Sequence, residues 1–183
     1  MPNGLADTSA AGLRQAEIDV VNALGSMDLD FRALSAVSNI FRVATAVRNH
    51  FEQSVLSEQQ LSWSAFVALF VLRVWGEQES SELADQIGIS GGTLTGVLKT
   101  LEKKGLAERR PNERDRRRVL VSLTPEGLRV IEEIMPLFNH HEALVTRDLS
   151  PVERDQMASY LRRILRTLEE MDHPGSVSAG DGD

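Results

Sequence analysis

The chain holds 183 residues, with 20 Lys and Arg against 27 Asp and Glu, no cysteine, and 42% hydrophobic residues. That size fits one globular domain with a long helix or two left over for a subunit interface. Without cysteine there is no disulfide, thiolate nucleophile, cysteine redox switch or cysteine-ligated zinc. The longest apolar stretch, Phe66 to Trp75, is broken by Arg73 and is too short for a membrane span, and residues 1–25 lack a basic-then-apolar leader, so the expectation is a soluble, cytoplasmic protein with no membrane partner.

The elements follow in order. Residues 1–27 mix small and polar residues around a weak helical patch at Ile18, Val20, Val21 and Leu24, and are expected to form a flexible N-terminal arm or short helix. From Phe31 the apolar positions Leu34, Val37, Ile40, Phe41, Ala44, Val47 and Phe51 recur every three or four residues and predict a long amphipathic helix. Ser62 caps a second helix, Trp63 to Trp75, apolar on most faces and so central to the core, with Gly76 ending it. Ser80 or Ser81 is expected to cap a short helix through Ile87, and Gly88 to supply the turn. Ser90 caps another helix, which buries Leu94, Val97, Leu98 and Leu101, turns Thr93, Thr95, Gly96, Lys99 and Thr100 outward, and stops at Gly105. Two β segments, Leu106 to Arg110 and Arg118 to Leu123, flank the turn-rich Pro111 to Arg117 and make a hairpin with a basic tip.

Thr124, Pro125 and Glu126 restart a helix whose apolar residues run to Leu149, with Pro136 as a kink. Ser150, Pro151 and Glu153 form a capping-box pattern ahead of a last helix expected to bury Met157, Tyr160, Leu161, Ile164, Leu165, Leu168 and Met171. Residues 172–183 read as a disordered tail.

Charge is uneven. From Lys99 to Arg118 nine basic residues meet four acidic ones, a local net of +5 that leaves −12 on the rest of a chain whose formal charge is −7. Such a molecule repels polyanions everywhere except at one segment, which favours a nucleic acid docked in one orientation. A solvated charged hairpin is the plainer reading of the same run.

A short helix, a glycine turn, a second helix with a small polar face and a basic hairpin together describe a winged helix-turn-helix. The fold class is mainly α with a small β-hairpin wing, flanked by N- and C-terminal helices. Ser81, Ser90, Gly91, Gly92, Thr93, Thr95 and Gly96 are small enough to let the helix enter a major groove, and their hydroxyls suit phosphates and base edges. Lys99, Arg114, Arg116 and Arg117 supply cations. Asp115 looks out of place in a polyanion-binding run, and its expected role is to hold Arg109 or Arg117 and stiffen the wing.

The stretch Leu61 to Gly127 resembles the MarR family of transcriptional regulators. The resemblance rests on Ser81-Glu82-Leu83-Ala84, Ile89 to Thr95, Leu101 to Leu106, and the wing Arg114-Asp115-Arg116-Arg117-Arg118 followed by Val119 to Gly127. With the flanking helices it extends over residues 28–171, the winged helix-turn-helix at about 57–124 and dimerisation helices at 28–54 and 125–171. It implies a homodimeric repressor of double-stranded DNA, with the helix from Ser90 as recognition helix, Arg117 in the minor groove and Asp115 orienting the wing. Many relatives carry bulkier polar residues at Gly91 and Gly92, so base reading would fall to Thr93, Thr95 and Lys99.

The resemblance also implies a small aromatic or phenolic effector, for which Phe41, His50, Trp63, Phe66 and Arg73 are the candidate lining. The same aromatic spacing is also that of an ordinary core. No resident cofactor is expected. His140 and His141 point about 100° apart on a helix and no paired-histidine metal motif occurs, so no metal is expected. No nucleophile elbow, phosphate loop or zincin motif places Ser, His and Asp for catalysis, so the chain is not expected to be an enzyme. The competing reading is a winged helix that docks its hairpin on an acidic protein partner.

Overall fold

The computed structural model describes residues 15–172. Its elements are α1 (Gln15–Leu24), α2 (Phe31–Ser54), α3 (Trp63–Trp75), β1 (Gln78–Glu79), α4 (Ser80–Ile87), α5 (Gly91–Lys103), β2 (Ala107–Pro111), β3 (Val119–Leu123), α6 (Pro125–Val145) and α7 (Pro151–Asp172). The chain divides into two compact units, one ending at Glu132 and one starting at Glu133.

In the first unit the helix boundaries are set by short polar caps. Asp30 accepts from the backbone N–H groups of Arg32 and Ala33, both at 3.0 Å, and starts α2. Ser62 does the same for α3 through Ala65 N–H at 3.3 Å. α3 is the central element. Ala65, Phe66, Ala68, Leu69, Val71 and Leu72 are buried, against α4, α5 and β3. Leu56, Leu83, Leu98, Leu101, Val121 and Ile131 complete this core. Burying each such side chain contributes roughly 1.5–3 kcal/mol.

The segment expected as a flexible arm over 1–27 contains α1, and its residues 1–14 lie outside the described chain. Glu17 on α1 accepts from the Ser35 hydroxyl and, at 2.9 Å, from Asn39 Nδ2, both on α2. These contacts give residues 15–24 an anchored position that a weak apolar patch did not predict.

Three strands form an antiparallel sheet in the order β1-β3-β2, with Gln78 opposite Val121, Ala107 opposite Leu123 and Pro111 opposite Val119. β1 is absent from the sequence reading because two residues carry no alternation. The expected cap of α4 by Ser80 or Ser81 is corrected. Glu79 is the N-cap residue and its side chain makes no capping bond.

At the end of the sheet, Thr124 Oγ1 donates to the Gly105 carbonyl at 2.6 Å, and Gly127 N–H donates back to Thr124 Oγ1 at 3.0 Å. The start of α6 is thereby stitched to the turn that ends α5.

The second unit contains the remainder of α6 and α7. α6 stops at Val145 rather than continuing toward Leu149. The Thr146 hydroxyl turns back to the Glu142 carbonyl at 2.8 Å, and the Thr146 carbonyl accepts from Leu149 N–H at 3.0 Å and Arg154 Nε at 3.1 Å, a pattern that ends the ladder. Pro136 lies inside α6 and has no N–H to offer the Glu132 carbonyl. The capping box of α7 forms: Ser150 N–H donates to Glu153 Oε2 at 2.7 Å and Glu153 N–H to Ser150 Oγ at 3.4 Å. No residue of α7 is buried in the single chain, which corrects the burial expected for Met157, Tyr160, Leu161, Ile164, Leu165, Leu168 and Met171. α7 ends at Asp172, and the expected tail beyond it lies outside the described residues.

Candidate nucleic-acid interface

α5 begins at Ser90, whose Oγ accepts from Thr93 N–H at 3.2 Å and lies 2.9 Å from Thr93 Oγ1. Thr95 Oγ1 donates to the Gly91 carbonyl at 2.9 Å, which folds that hydroxyl along the helix. Gly91, Gly92, Thr93, Thr95, Gly96 and Lys99 are all exposed, while Leu94, Leu98 and Leu101 fasten the opposite side to the core. A Cβ built at Gly91 or Gly96 would meet nothing within 4 Å, and at Gly92 only Ser90 Oγ at 3.9 Å. Packing within the chain therefore does not demand glycine at these positions. Their effect is a smooth, side-chain-poor helix face.

Across from this face stands the wing. Its loop is internally braced: Asn112 N–H donates to the Arg118 carbonyl and Arg118 N–H to the Asp115 carbonyl, both at 2.9 Å. Arg114 N–H reaches Asn112 Oδ1 at 2.9 Å and Arg117 N–H reaches Asp115 Oδ1 at 3.1 Å. Asp115 thus holds Arg117 by its backbone, not by its guanidinium. Its side-chain ion pair is to Arg118 Nε at 3.5 Å, and Arg109 is held elsewhere, which corrects the expected pairing with Arg109 or Arg117. The physical reason is the turn: two residues on, the backbone N–H is the donor within reach of an Asp side chain.

Between wing and helix lies a cleft of about 400 Å³, lined by Glu79, Ser80, Ser81, Gly91, Leu94, Thr95, Leu98, Arg109, Arg117, Arg118 and Val119. It gathers the predicted Ser81, Gly91, Thr95 and Arg117. Ser90, Gly92, Thr93, Gly96 and Lys99 lie along the exposed helix outside its walls, and Arg114, Asp115 and Arg116 lie on the wing loop.

Three carboxylates that the sequence reading did not single out divide the basic run. Arg109 Nε donates to Glu102 Oε1 at 2.9 Å, Arg110 grips Glu77 through two bonds at 2.9 and 2.8 Å, and Arg118 Nη1 reaches both oxygens of Glu79 at 3.1 and 2.9 Å. Hydrogen bonding to Arg109 outweighs the desolvation cost and, with a smaller Coulomb attraction to the same guanidinium, holds the Glu102 carboxyl below its ordinary range. Arg109, Arg110 and Arg118 are pushed upward by their hydrogen bonds to Glu102, Glu77 and Glu79. Lys104 Nζ donates to the Gln59 carbonyl at 3.1 Å. Among the described residues no hydrogen bond or ion pair engages the side chains of Lys99, Arg114, Arg116 or Arg117. With Lys103, which is likewise unengaged, these are the cations of the basic run left to meet an external anion.

Of the expected effector residues, His50, Trp63 and Phe66 are linked through the ring of Phe51. Phe66 is buried at 4% exposure and packs in a run of rings, with Phe51 6.3 Å from Trp63, Trp63 6.1 Å from Phe66 and Phe66 6.3 Å from Phe70. His50 lies edge-on to Phe51 at 5.7 Å. Phe41 is 71% exposed on α2, and Arg73 donates to Glu132 at 3.1 Å beside a separate open cavity of about 460 Å³ that none of the other four lines. Phe66, at the centre of the aromatic stripe, is part of the core. Among the described residues no cluster of three metal-ligating side chains occurs, and no helix is long and apolar enough to cross a membrane.

Comparison with known proteins agrees with this geometry. The MarR family model matches residues 61–119, from the residue before the α3 cap to the first residue of β3. The uncharacterized HTH-type transcriptional regulator YwaE of Bacillus subtilis (strain 168) is 37% identical over 159 residues, covering 85% of this chain and 93% of that protein. A MarR mutant from Escherichia coli complexed with operator DNA superposes with a TM-score of 0.68 at 27% identity, over 75% of this chain and 99% of that one. Bordetella bronchiseptica BpsR, whose DNA binding is regulated by 6-hydroxynicotinic acid, superposes with a TM-score of 0.64 at 28% identity, over 70% of this chain and 98% of that one. With its relative identical at more than a third of positions over most of both lengths, and with a helix-turn-helix and wing in the matched segment, the chain belongs to the MarR family and is a DNA-binding transcriptional regulator, not an enzyme.

Proposed function

We propose that this regulator is a homodimeric, ligand-responsive repressor that binds a pseudo-palindromic operator, with the two copies of α5 in successive major grooves and the two wings in the flanking minor grooves. The observation that carries this reading is that Arg117, whose guanidinium has no partner among the described residues, lines the same cleft as Thr95 and Gly91 of the open helix face. Arg117 enters the minor groove, Arg114 and Arg116 meet phosphates, and Thr93, Thr95 and Lys99 read base edges. Asp115 keeps the turn that presents Arg117. That the structurally similar MarR mutant is complexed with operator DNA supports duplex DNA as the partner.

Dimerisation is supported by α7, on which Tyr160 is 57%, Leu165 58%, Leu168 51% and Met171 70% exposed. A face of that composition left in water is unfavourable, and a second copy would bury it. The effector is proposed as an aromatic or phenolic acid, as regulation of BpsR by 6-hydroxynicotinic acid suggests.

The test is a mobility shift on duplexes selected from a randomised pool by the wild-type protein, repeated over a salt series and with 6-hydroxynicotinic acid. Retention of selected duplex that weakens steeply with salt supports the reading, and a flat salt response overturns it.

A further inference from the structure

We propose that Glu79 is a positioning residue for the wing: it fixes the angle at which Arg117 is presented beside α5, acting through Arg118 and Asp115. The proposal rests on the DNA-binding reading and deepens it.

Glu79 occupies three roles at once. It is the last residue of β1, paired with Leu120 of β3, and it is the N-cap residue of α4. A short polar side chain at such a cap accepts from the first turn of the helix. Glu79 does not. Its carboxylate turns to the wing, taking Arg118 Nη1 on both oxygens at 3.1 and 2.9 Å and Asn112 Nδ2 at 3.4 Å. The Glu79 side chain is only 17% exposed, so these bonds are shielded on the carboxylate side although Arg118 itself is 59% exposed. From there the connection continues outward. Arg118 Nε pairs with Asp115 Oδ2 at 3.5 Å, and Asp115 Oδ1 holds Arg117 N–H at 3.1 Å. Three steps therefore link the helix-turn-helix to the backbone of the cation at the cleft.

Asn112 and Arg118 are the two residues that close the wing loop, through Asn112 N–H to the Arg118 carbonyl. One carboxylate thus grips both sides of the loop at its neck. A two-stranded ribbon is otherwise free to twist and bend, and the edge strand β1 pairs with β3 through two residues alone. An acidic group facing a cleft proposed to hold a polyanion is electrostatically adverse, and its two bonds to Arg118 offset that cost.

The test compares wild type, Glu79→Ala, Glu79→Gln, Arg118→Ala and the double variant Glu79→Ala with Arg118→Ala. Two readouts are used. Hydrogen exchange at Asn112 and Arg118 N–H, without DNA, reports wing order. Affinity for a duplex selected by wild type, against a scrambled duplex of equal length, reports presentation. The expected result is faster wing exchange in Glu79→Ala and a selectivity ratio reduced on the order of tenfold, the scale of one charge-assisted contact. Binding to the scrambled duplex should be unchanged or raised, and Glu79→Ala should cost much less in the Arg118→Ala background than in wild type, the remainder being its bond to Asn112. Glu79→Gln, which keeps shape and one acceptor, should fall between.

Equal gains on both duplexes would show that Glu79 merely repels DNA, and equal losses tracking a lowered melting temperature would show a purely structural role. Either outcome overturns the proposal, as does unaltered wing exchange. Failure of the DNA-binding reading looks different: wild type itself then retains no duplex, and the exchange arm still reports whether Glu79 fastens the wing.

Discussion

Gly127 lies so close to Leu106 that a Cβ at position 127 would sit 1.8 Å from the Leu106 carbonyl oxygen. That oxygen already accepts from Thr124 N–H at 3.2 Å, so it is fixed where β2 begins. Gly127→Ala should therefore force the start of α6 away from the sheet and destabilise the fold by about 3 kcal/mol, read from the urea midpoint at unchanged m-value. The position is helical, so the cost comes from backbone contact and outweighs the roughly 1 kcal/mol that alanine gains over glycine in helix propensity.

Arg117→Ala should weaken all duplexes by a similar factor and lower the slope of log affinity against log salt by about 1. Thr95→Ala should leave that slope intact and change which duplexes a randomised pool yields. Titration across a salt series distinguishes the two, and a sequence-selective effect of Arg117→Ala would assign that side chain to base reading instead.

The Glu102–Arg109 pair sets a pH dependence. Its carboxyl is held below the ordinary glutamate range, so the pair contributes stability above the unfolded-state pKa and loses it as pH falls through the lowered folded value. Thermal melting should show wild type more stable than Glu102→Gln near neutrality, with the gap closing on the acid side of the usual carboxylate range. Because both side chains are about a third exposed, the gap will be small.

Leu165→Glu tests the exposed face of α7. The side chain is 58% exposed, so the substitution should leave the secondary structure measured by circular dichroism intact. Sedimentation should report a mass near the 20.2 kDa of one chain instead of twice that value. Losing the second half-site should cost operator affinity about a hundredfold.

How much of this was readable beforehand depends on distance along the chain. Ser62, Gly76, Ser90 and Gly105 act within one turn of where they stand, and the helices they bound follow from local rules. The basic run from Lys99 to Arg118 was countable, but its effective charge was not. Glu77 and Glu79 meet Arg110 and Arg118 from 33 and 39 residues away, and only the pairing of β1 with β3 brings them there. Strand β1 was invisible for the same reason, being two residues that owe their conformation to Leu120 and Val121. The aromatic residues were ambiguous for a different reason: Trp63 and Phe66 stand three apart on α3, a spacing that serves a pocket or a core equally well, and only the fold shows Phe51 of α2 packed edge-on against Trp63.

The open surroundings of Gly91, Gly92 and Gly96 have an evolutionary consequence. Placing alanine there would relieve roughly 0.5–1 kcal/mol of backbone freedom per site and strike nothing in the chain. If this helix reads DNA as proposed, its address is open to rewriting one residue at a time, since the first carbon of any new side chain meets no obstacle in the scaffold beneath it.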